Sequence, residues 1–180
     1  MSVEFSEQSK QHIERILSRY PNRQAALLPV LHLAQEQFGA LADDVVDLIA
    51  RTLGLPHSHI HGVVTFYTML HRKKVGTNEL MVCTNISCML RGAYDILHHI
   101  EKKLGVKAGE TTPDGAFTIV EEECLAACAN APMMICGAEY HLDLTTEKVD
   151  QILGGMQARH DEQKTTKARL ARLTPIPRKV

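Results

Sequence analysis

The chain has 180 residues, 44% hydrophobic and 23% charged, with no Trp and only 4% aromatics; that is length for one domain or two small ones, with a Leu, Ile, Val, Met and Ala core that favours helical packing over an aromatic-rich β-sandwich. A formal net charge of −1 covers an uneven distribution, because His160 to Val180 carries Lys164, Lys167, Arg169, Arg172, Arg178 and Lys179 against only Asp161 and Glu162. These basic residues lack interleaved aromatics and a recognition motif, which excludes nucleic acid as the expected partner, and no stretch is long and apolar enough for direct membrane insertion.

The first seventy residues read as helices. Ser6 can cap a helix holding Ser9 to Arg19, in which Ile13, Ile16 and Leu17 recur at helical steps and Pro21 stops the run. A second helical stretch runs from about Arg23 to Phe38 and ends at Gly39; Pro29 predicts a kink or break in its second turn. The third, Ala42 to Leu53, has Val45, Val46, Leu48, Ile49 and Leu53 on one side and closes at Gly54. After Pro56 a fourth helical segment is expected to turn Ile60, Val63, Val64 and Phe66 towards the other helices.

The period changes after Gly76. Glu79 to Val82 reads as a strand, and Met89 to Leu104 as one helix with Leu90, Ala93, Ile96, Leu97 and Ile100 on its apolar face. Pro113-Asp114-Gly115 is a turn into a strand over Phe117 to Val120. Strands over Met133 to Cys136 and Tyr140 to Leu144, joined at Gly137-Ala138, precede a last helix from about Thr146 to Met156. A β-α-β unit, then a hairpin and a covering helix, is the thioredoxin-like order. The expected fold class is α+β: an N-terminal helical bundle (1–75), a thioredoxin-like α/β domain with a mixed four-stranded sheet (76–159) and a basic C-terminal tail (160–180).

Four of the five cysteines form two close pairs. Cys83 and Cys88 have four residues between them; Cys124, thirty-six residues after Cys88, and Cys128 have three. Four thiolates brought together make a metal site, and a four-cysteine set serves both structural zinc and iron-sulfur clusters. Zinc knuckles commonly hold their cysteines two residues apart; the wider, unequal gaps here suit a [2Fe-2S] centre, with structural zinc and a redox or structural disulfide system as alternatives. The start Met-Ser-Val-Glu-Phe-Ser-Glu has neither a basic n-region nor an apolar run, so a cytoplasmic or other reducing compartment is expected. In it an odd count of five cysteines speaks for ligation and against a disulfide scaffold. In the expected layout Cys83 lies at the carboxyl end of the first strand and Cys88 at the start of the following helix, where ligand sites gather in α/β sheets.

Several segments together carry a resemblance: Tyr20-Pro21, Gln24 to Pro29, Gly62 to Thr68, Val82-Cys83-Thr84 with Ser87-Cys88, Thr112 to Gly115, Glu123-Cys124-Leu125 with Ala127-Cys128, and Ala131-Pro132. Over about Tyr20 to Leu153 the chain resembles the 24 kDa [2Fe-2S] subunit family of NADH:quinone oxidoreductase, respiratory complex I, whose members are thioredoxin-like ferredoxins. The resemblance implies one [2Fe-2S] cluster held by Cys83, Cys88, Cys124 and Cys128, in an electron-transfer subunit beside a flavoprotein partner that carries FMN and binds NADH. It also implies further subunits of a parent complex and a cytoplasmic location, peripheral on the inner membrane through that complex. The same kind of small subunit occurs in NAD-linked formate dehydrogenases and hydrogenases. Ala126 stands where the family more often has Gly, His71 where an aromatic is common, and Cys136-Gly137 where Asn-Asp is frequent.

Other residues have plainer readings. His57, His59 and His61 alternate but fall in a turn and helix, so solvated or capping roles are expected. His98 and His99 read as structural, Cys136 as a small core hydrophobe, and Glu121-Glu122-Glu123 as a solvated edge that also sets negative charge beside Cys124. No catalytic residue is assigned: the chain lacks G-x-G-x-x-G, a phosphate-cradling loop and a Ser-His-Asp order, so NADH and flavin are expected on the partner. The Gly62 to Thr68 segment and the basic tail are the expected contacts with that partner.

Overall fold

The computed structural model describes residues 3–172, with side chains described to residue 166. The chain divides into two compact units, Met1–Val75 and Gly76–Val180. The first unit holds four helices: α1 (Glu7–Arg19), α2 (Leu27–Phe38), α3 (Asp43–Leu53) and α4 (His57–Phe66). Ser6 caps α1, its hydroxyl accepting from the Ser9 N–H at 3.1 Å. Residues 22–26 form turns, so α2 begins four residues later than the apolar period predicts. Pro29 therefore stands in the first turn, where a missing N–H leaves no carbonyl unpaired, and the expected kink has no cause. Gln35 fastens α2 to the segment after α4, donating to the Met69 carbonyl at 3.0 Å and accepting from the His71 N–H at 2.7 Å.

The core of this unit comprises Ile13 and Ile16 of α1, Leu27, Val30, Leu31 and Ala34 of α2, Val45, Val46, Ile49 and Leu53 of α3, and Ile60 and Val64 of α4. Burying each Leu or Ile contributes roughly 1.5–3 kcal/mol. Phe66 departs from its expected inward position: it is the last residue of α4 and is 77% exposed.

The second unit is built on a four-stranded mixed sheet in the order β2-β1-β3-β4, from β1 (Asn78–Cys83), β2 (Phe117–Glu122), β3 (Met134–Cys136) and β4 (Glu139–His141). β1 and β2 are parallel, with Asn78 opposite Phe117 and Cys83 opposite Glu122. β3 runs antiparallel to β1, pairing Leu80 with Cys136 and Val82 with Met134. The hairpin's second strand is shorter than Tyr140 to Leu144 and shifted by one residue. Successive side chains point to opposite faces. Leu80, Val82, Phe117, Ile119 and Met134 join the core under the helices, whereas Cys83, Met133 and Ile135 gather on the other side.

The expected single helix from Met89 to Leu104 is two, α5 (Ile86–Leu90) and α6 (Ala93–Leu104). Gly92 separates them at φ +87°, a left-handed conformation that few side chains tolerate. The break rotates α5 relative to α6, and Leu90, expected on the buried face, is 77% exposed.

The last helix, α7 (Thr146–Arg172), does not stop near Met156. Gly154 and Gly155 each cost about 1 kcal/mol relative to Ala in a helix interior, but Val149, Leu153, Met156 and His160 form one buried stripe that continues past them. The segment expected as a basic tail thus starts as a continuation of α7, and its residues 173–180 lie outside the described ones. His160 Nδ1 lies 2.9 Å from the Thr77 hydroxyl, Gln157 donates to the Asp114 carboxylate at 3.1 Å, and Lys164 donates to the Asp114 carbonyl. Asp150 accepts from Lys103 at 2.7 Å and lies 2.8 Å from His99, linking α6 to α7.

Asp114 sits where the Thr-Pro-Asp-Gly turn meets α7. Its carboxyl is pulled down to about 2 by the Thr112 hydroxyl first, then by the Ala116 N–H, Gln157 and Lys164. A depressed folded-state value adds stability that is present above the unfolded value of 3.8 and is lost as pH falls towards about 2. The expected result for Asp114→Asn in the metal-free chain is a lower urea midpoint at pH 5. The gap from wild type should close between pH 3.8 and about 2. A gap that stays constant across that window counts against a role for the carboxylate charge.

Candidate metal centre

Two loops at the carboxyl ends of β1 and β2 carry the paired cysteines. β1 delivers Cys83, whose N–H donates to the Met133 carbonyl at 3.2 Å while the Thr84 N–H donates to Glu122 at 3.0 Å. Asn85 caps α5, its side chain accepting from the Ile86 N–H at 2.9 Å. Cys88 is the third residue of α5 and not, as the sequence suggests, the residue before a long helix. The chain then turns through Gly92 into α6.

The second loop leaves β2 after Glu122 and passes Cys124, Leu125 and Ala126 before the 3-10 turn Cys128–Asn130. Ala126 has φ +62°. This left-handed conformation costs an L-residue roughly 1–2 kcal/mol and costs glycine almost nothing, so the position is one that suits glycine. The loop ends at the cis peptide Ala131-Pro132. Arg91 joins the two loops: its Nε donates to the Ala131 carbonyl at 2.6 Å. In the sequence Arg91 looks like one surface residue of a continuous helix; the adjacent Gly92 is the local sign that the helix breaks there.

The four thiols differ in depth. Cys83 and Cys88 are 2% and 1% exposed and pack with Ala93, Ala131, Met133 and Ile135, whereas Cys124 and Cys128 are exposed. The Cys83 thiol donates to the Glu123 carbonyl at 3.6 Å. Burial pushes the Cys88 thiol up to about 11, with the hydrogen bond and charge of Cys83 adding to it and the charge of Cys128 adding less. The Met133 N–H, which points at the Cys88 sulfur, acts in the opposite direction. Cys88 is therefore a neutral thiol near pH 7 in the metal-free chain, and it has both Cys83 and Cys128 as neighbours. Among the described residues, no three or more His, Cys, Asp or Glu side chains close on a single ion position.

Cys136 lies on the other face of the sheet, half-buried against the helix-side core. Burial raises its thiol, with Glu139 adding to the effect. The histidines have structural partners: His57 is 3.6 Å from Asp47, its ring 6.1 Å from that of His61, and His59 is 3.3 Å from Gln24. Glu121, Glu122 and Glu123 line a cleft of about 320 Å³ together with Thr84, Asn85 and Tyr94, and Glu121 accepts from the Thr84 hydroxyl at 2.9 Å.

Known proteins share both the sequence pattern and the fold. The thioredoxin-like [2Fe-2S] ferredoxin family matches residues 13–157. The chain is similar to the second E-type subunit of NADH-quinone oxidoreductase of Rhizobium meliloti (strain 1021), 41% identical over 149 residues that cover 83% of this chain and 89% of that protein. It is also similar to the E-type subunit of NADH-quinone oxidoreductase of Rickettsia conorii, at 42% identity over 85% of this chain and 93% of that one. Mitochondrial NADH dehydrogenase [ubiquinone] flavoprotein 2 of Dictyostelium discoideum is 42% identical over 83% of this chain, which spans 62% of that protein's length. Among solved structures, NAD+-reducing [NiFe]-hydrogenase in the air-oxidized state has a similar fold, with a TM-score of 0.64 at 17% identity. That match covers 74% of this chain and 23% of the hydrogenase chain.

Proposed function

The chain belongs to the thioredoxin-like [2Fe-2S] ferredoxin family, and from that premise we propose that it is the E-type, electron-transferring subunit of an NADH-quinone oxidoreductase. The observation that carries the reading is the meeting of two cysteine loops at one end of a thioredoxin-like sheet, tied together by Arg91. The donor set fits the family's cofactor: four thiols, and no carboxylate or imidazole interposed in either loop's cysteine pair. Cys83, Cys88, Cys124 and Cys128 would hold the cluster. When bound, a [2Fe-2S] cluster takes up and returns single electrons.

The chain's own residues set the conditions for that exchange. Cys83 and Cys88 sit behind Ala93, Ala131, Met133 and Ile135, which exclude water from one side of the site. The Met133 N–H favours a charged sulfur at Cys88. Cys124 and Cys128 form the solvent-facing side, the direction from which a partner can approach.

The partner in this reading is the NADH-binding, FMN-carrying flavoprotein subunit, and the parent complex includes further subunits. The exposed Phe66 and Met69 of the first unit support such a contact. Among the described residues no helix is long and apolar enough to cross a membrane; a peripheral place at the cytoplasmic face of the inner membrane, held through the complex, follows from the same reading.

Anaerobic purification tests it. The expected product is red-brown, carries two irons and two acid-labile sulfides per chain, and gives an EPR signal only after reduction. A colourless protein with one zinc overturns the electron-transfer function. Subunits that co-purify under mild detergent identify the parent complex and separate a quinone oxidoreductase from a formate dehydrogenase or hydrogenase.

A further inference from the structure

The two cysteine loops, Thr84 to Gly92 and Glu123 to Ala131, hold a single cationic side chain, Arg91. Its backbone N–H donates to the Cys88 carbonyl at 3.1 Å and its Nε donates to the Ala131 carbonyl at 2.6 Å, so one residue is bonded to both loops. Ala131 is fully buried and packs in one cluster with Cys83 and Cys88. A buried carbonyl without a donor is costly, and among the described residues Arg91 is the donor that reaches this one. No described ion pair involves Arg91, so no described carboxylate pairs with its charge.

One electron, supplied by the partner's flavin or by a chemical reductant, takes two ferric ions, two sulfides and four thiolates from a formal −2 to −3, with no bond made or broken. A fixed positive charge at the loops favours the −3 form, whereas Glu121, Glu122 and Glu123, which run up to Cys124 in the chain, oppose it. We propose that Arg91 is the positioning residue of this centre: its Nε closes the Cys124–Cys128 loop onto the Cys83–Cys88 loop, and its charge favours the reduced state. The assignment rests on the electron-transfer function proposed above and adds the residue that holds the donor set together and biases its redox equilibrium. A charge-assisted hydrogen bond to a buried carbonyl shifts an open–closed equilibrium by about tenfold or more. A unit charge at about 10 Å in an effective dielectric of about 50 shifts a one-electron equilibrium about threefold.

Three substitutions in the full chain separate the two roles. Arg91→Gln keeps an N–H donor at the atom position of Nε and loses the charge; Arg91→Lys keeps the charge and sets a methylene at that position; Arg91→Met loses both. Anaerobic reconstitution with ferrous iron and sulfide, followed by visible absorption, reads loop closure. Arg91→Met and Arg91→Lys are expected to take up iron about tenfold more slowly than wild type, and Arg91→Gln within about threefold of it. An EPR-monitored redox titration reads the charge. Arg91→Gln and Arg91→Met are expected to lower the equilibrium constant for reduction about threefold at low salt, or about 30 mV at the roughly 59 mV per tenfold of a one-electron couple, while Arg91→Lys keeps the wild-type potential. The shift should shrink as ionic strength rises. Lys102→Gln, the same charge change in the last turn of α6, should leave both readouts unchanged.

Urea unfolding of the metal-free variants checks that each is folded. A wild-type uptake rate in folded Arg91→Met overturns the loop-closing role, and a wild-type potential in Arg91→Gln overturns the role of the charge; either result leaves the electron-transfer function standing. Should Arg91→Met not fold, Arg91→Lys and Arg91→Gln decide: equal uptake rates and equal potentials in these two overturn the proposal. A wild-type chain that binds one zinc and no iron under the same conditions overturns the electron-transfer function, and the proposal with it.

Discussion

Cys83→Ser, Cys88→Ser, Cys124→Ser and Cys128→Ser are each expected to abolish or sharply reduce iron content, while Cys136→Ser retains nearly all of it. The reason is position: the first four occupy two loops at one end of the sheet, and Cys136 faces the helices on the other side. The four should not behave alike in other respects. Cys83 and Cys88 are buried, so a serine there sets a hydroxyl among Ala93, Met133 and Ile135; an unsatisfied one costs about 1–3 kcal/mol. Cys124 and Cys128 are exposed, and their serine variants should lose iron with little loss of stability. Iron and sulfide analysis, visible absorption and urea unfolding of the five variants supply the comparison. If Cys136→Ser loses as much iron as the others with its fold intact, the ligand set is different.

The largest effect on folding is expected at Gly76. A Cβ built there would lie 2.6 Å from the carbonyl carbon, 2.8 Å from the nitrogen and 2.9 Å from the Cα of Phe117. All three are backbone atoms at the start of β2, fixed by the parallel ladder to β1, so neither side can yield as a flexible side chain would. The Gly76 N–H also donates to the Thr118 hydroxyl at 2.6 Å, which holds the contact closed. Overpacking against rigid neighbours typically costs 1–3 kcal/mol, and about 3 kcal/mol is expected for Gly76→Ala, a large share of a domain's roughly 5–15 kcal/mol. Gly62→Ala is the contrasting case, since a Cβ on that helical residue meets nothing within 4 Å; it should stabilise by up to about 1 kcal/mol. Equal unfolding midpoints for the two variants would refute the steric account.

The elements that bear the site are readable wherever apolar period and punctuation agree. Ser6, Gly39 and Gly54 bound helices whose buried residues recur at three and four, and the β-α-β order with its hairpin follows from the Thr-Pro-Asp-Gly and Gly137 turns. The place of Cys83 at the carboxyl end of the first strand, with Cys88 near the start of the helical segment that follows, is legible from the β-α-β order. Misreadings arise where one period hides two structures. Leu90, Ala93 and Leu97 continue a single helical face on paper, and only the backbone freedom of Gly92 decides that the face is cut. The length of α7 is concealed by a Gly-Gly pair and by a polar residue, His160, in a buried position. Arg91 and Gly76 act through contacts forty or more residues away in the chain, which no local pattern encodes.

The alternation of side chains along β1 and β3 has a consequence for the newly made chain, before any metal is bound. A disulfide needs Cα atoms within about 7 Å and Cβ vectors that converge. Cys83 and Cys136 lie on paired strands but on opposite faces, with Cys136 opposite Leu80 and not Cys83. Once the hairpin has closed on β1, an oxidant cannot join the fifth sulfur to Cys83 without unzipping the ladder. Mispaired, kinetically trapped isomers that join Cys136 to Cys83 are thus confined to the interval before the sheet forms, and the sheet serves as a partition between the odd thiol and the one that β1 carries.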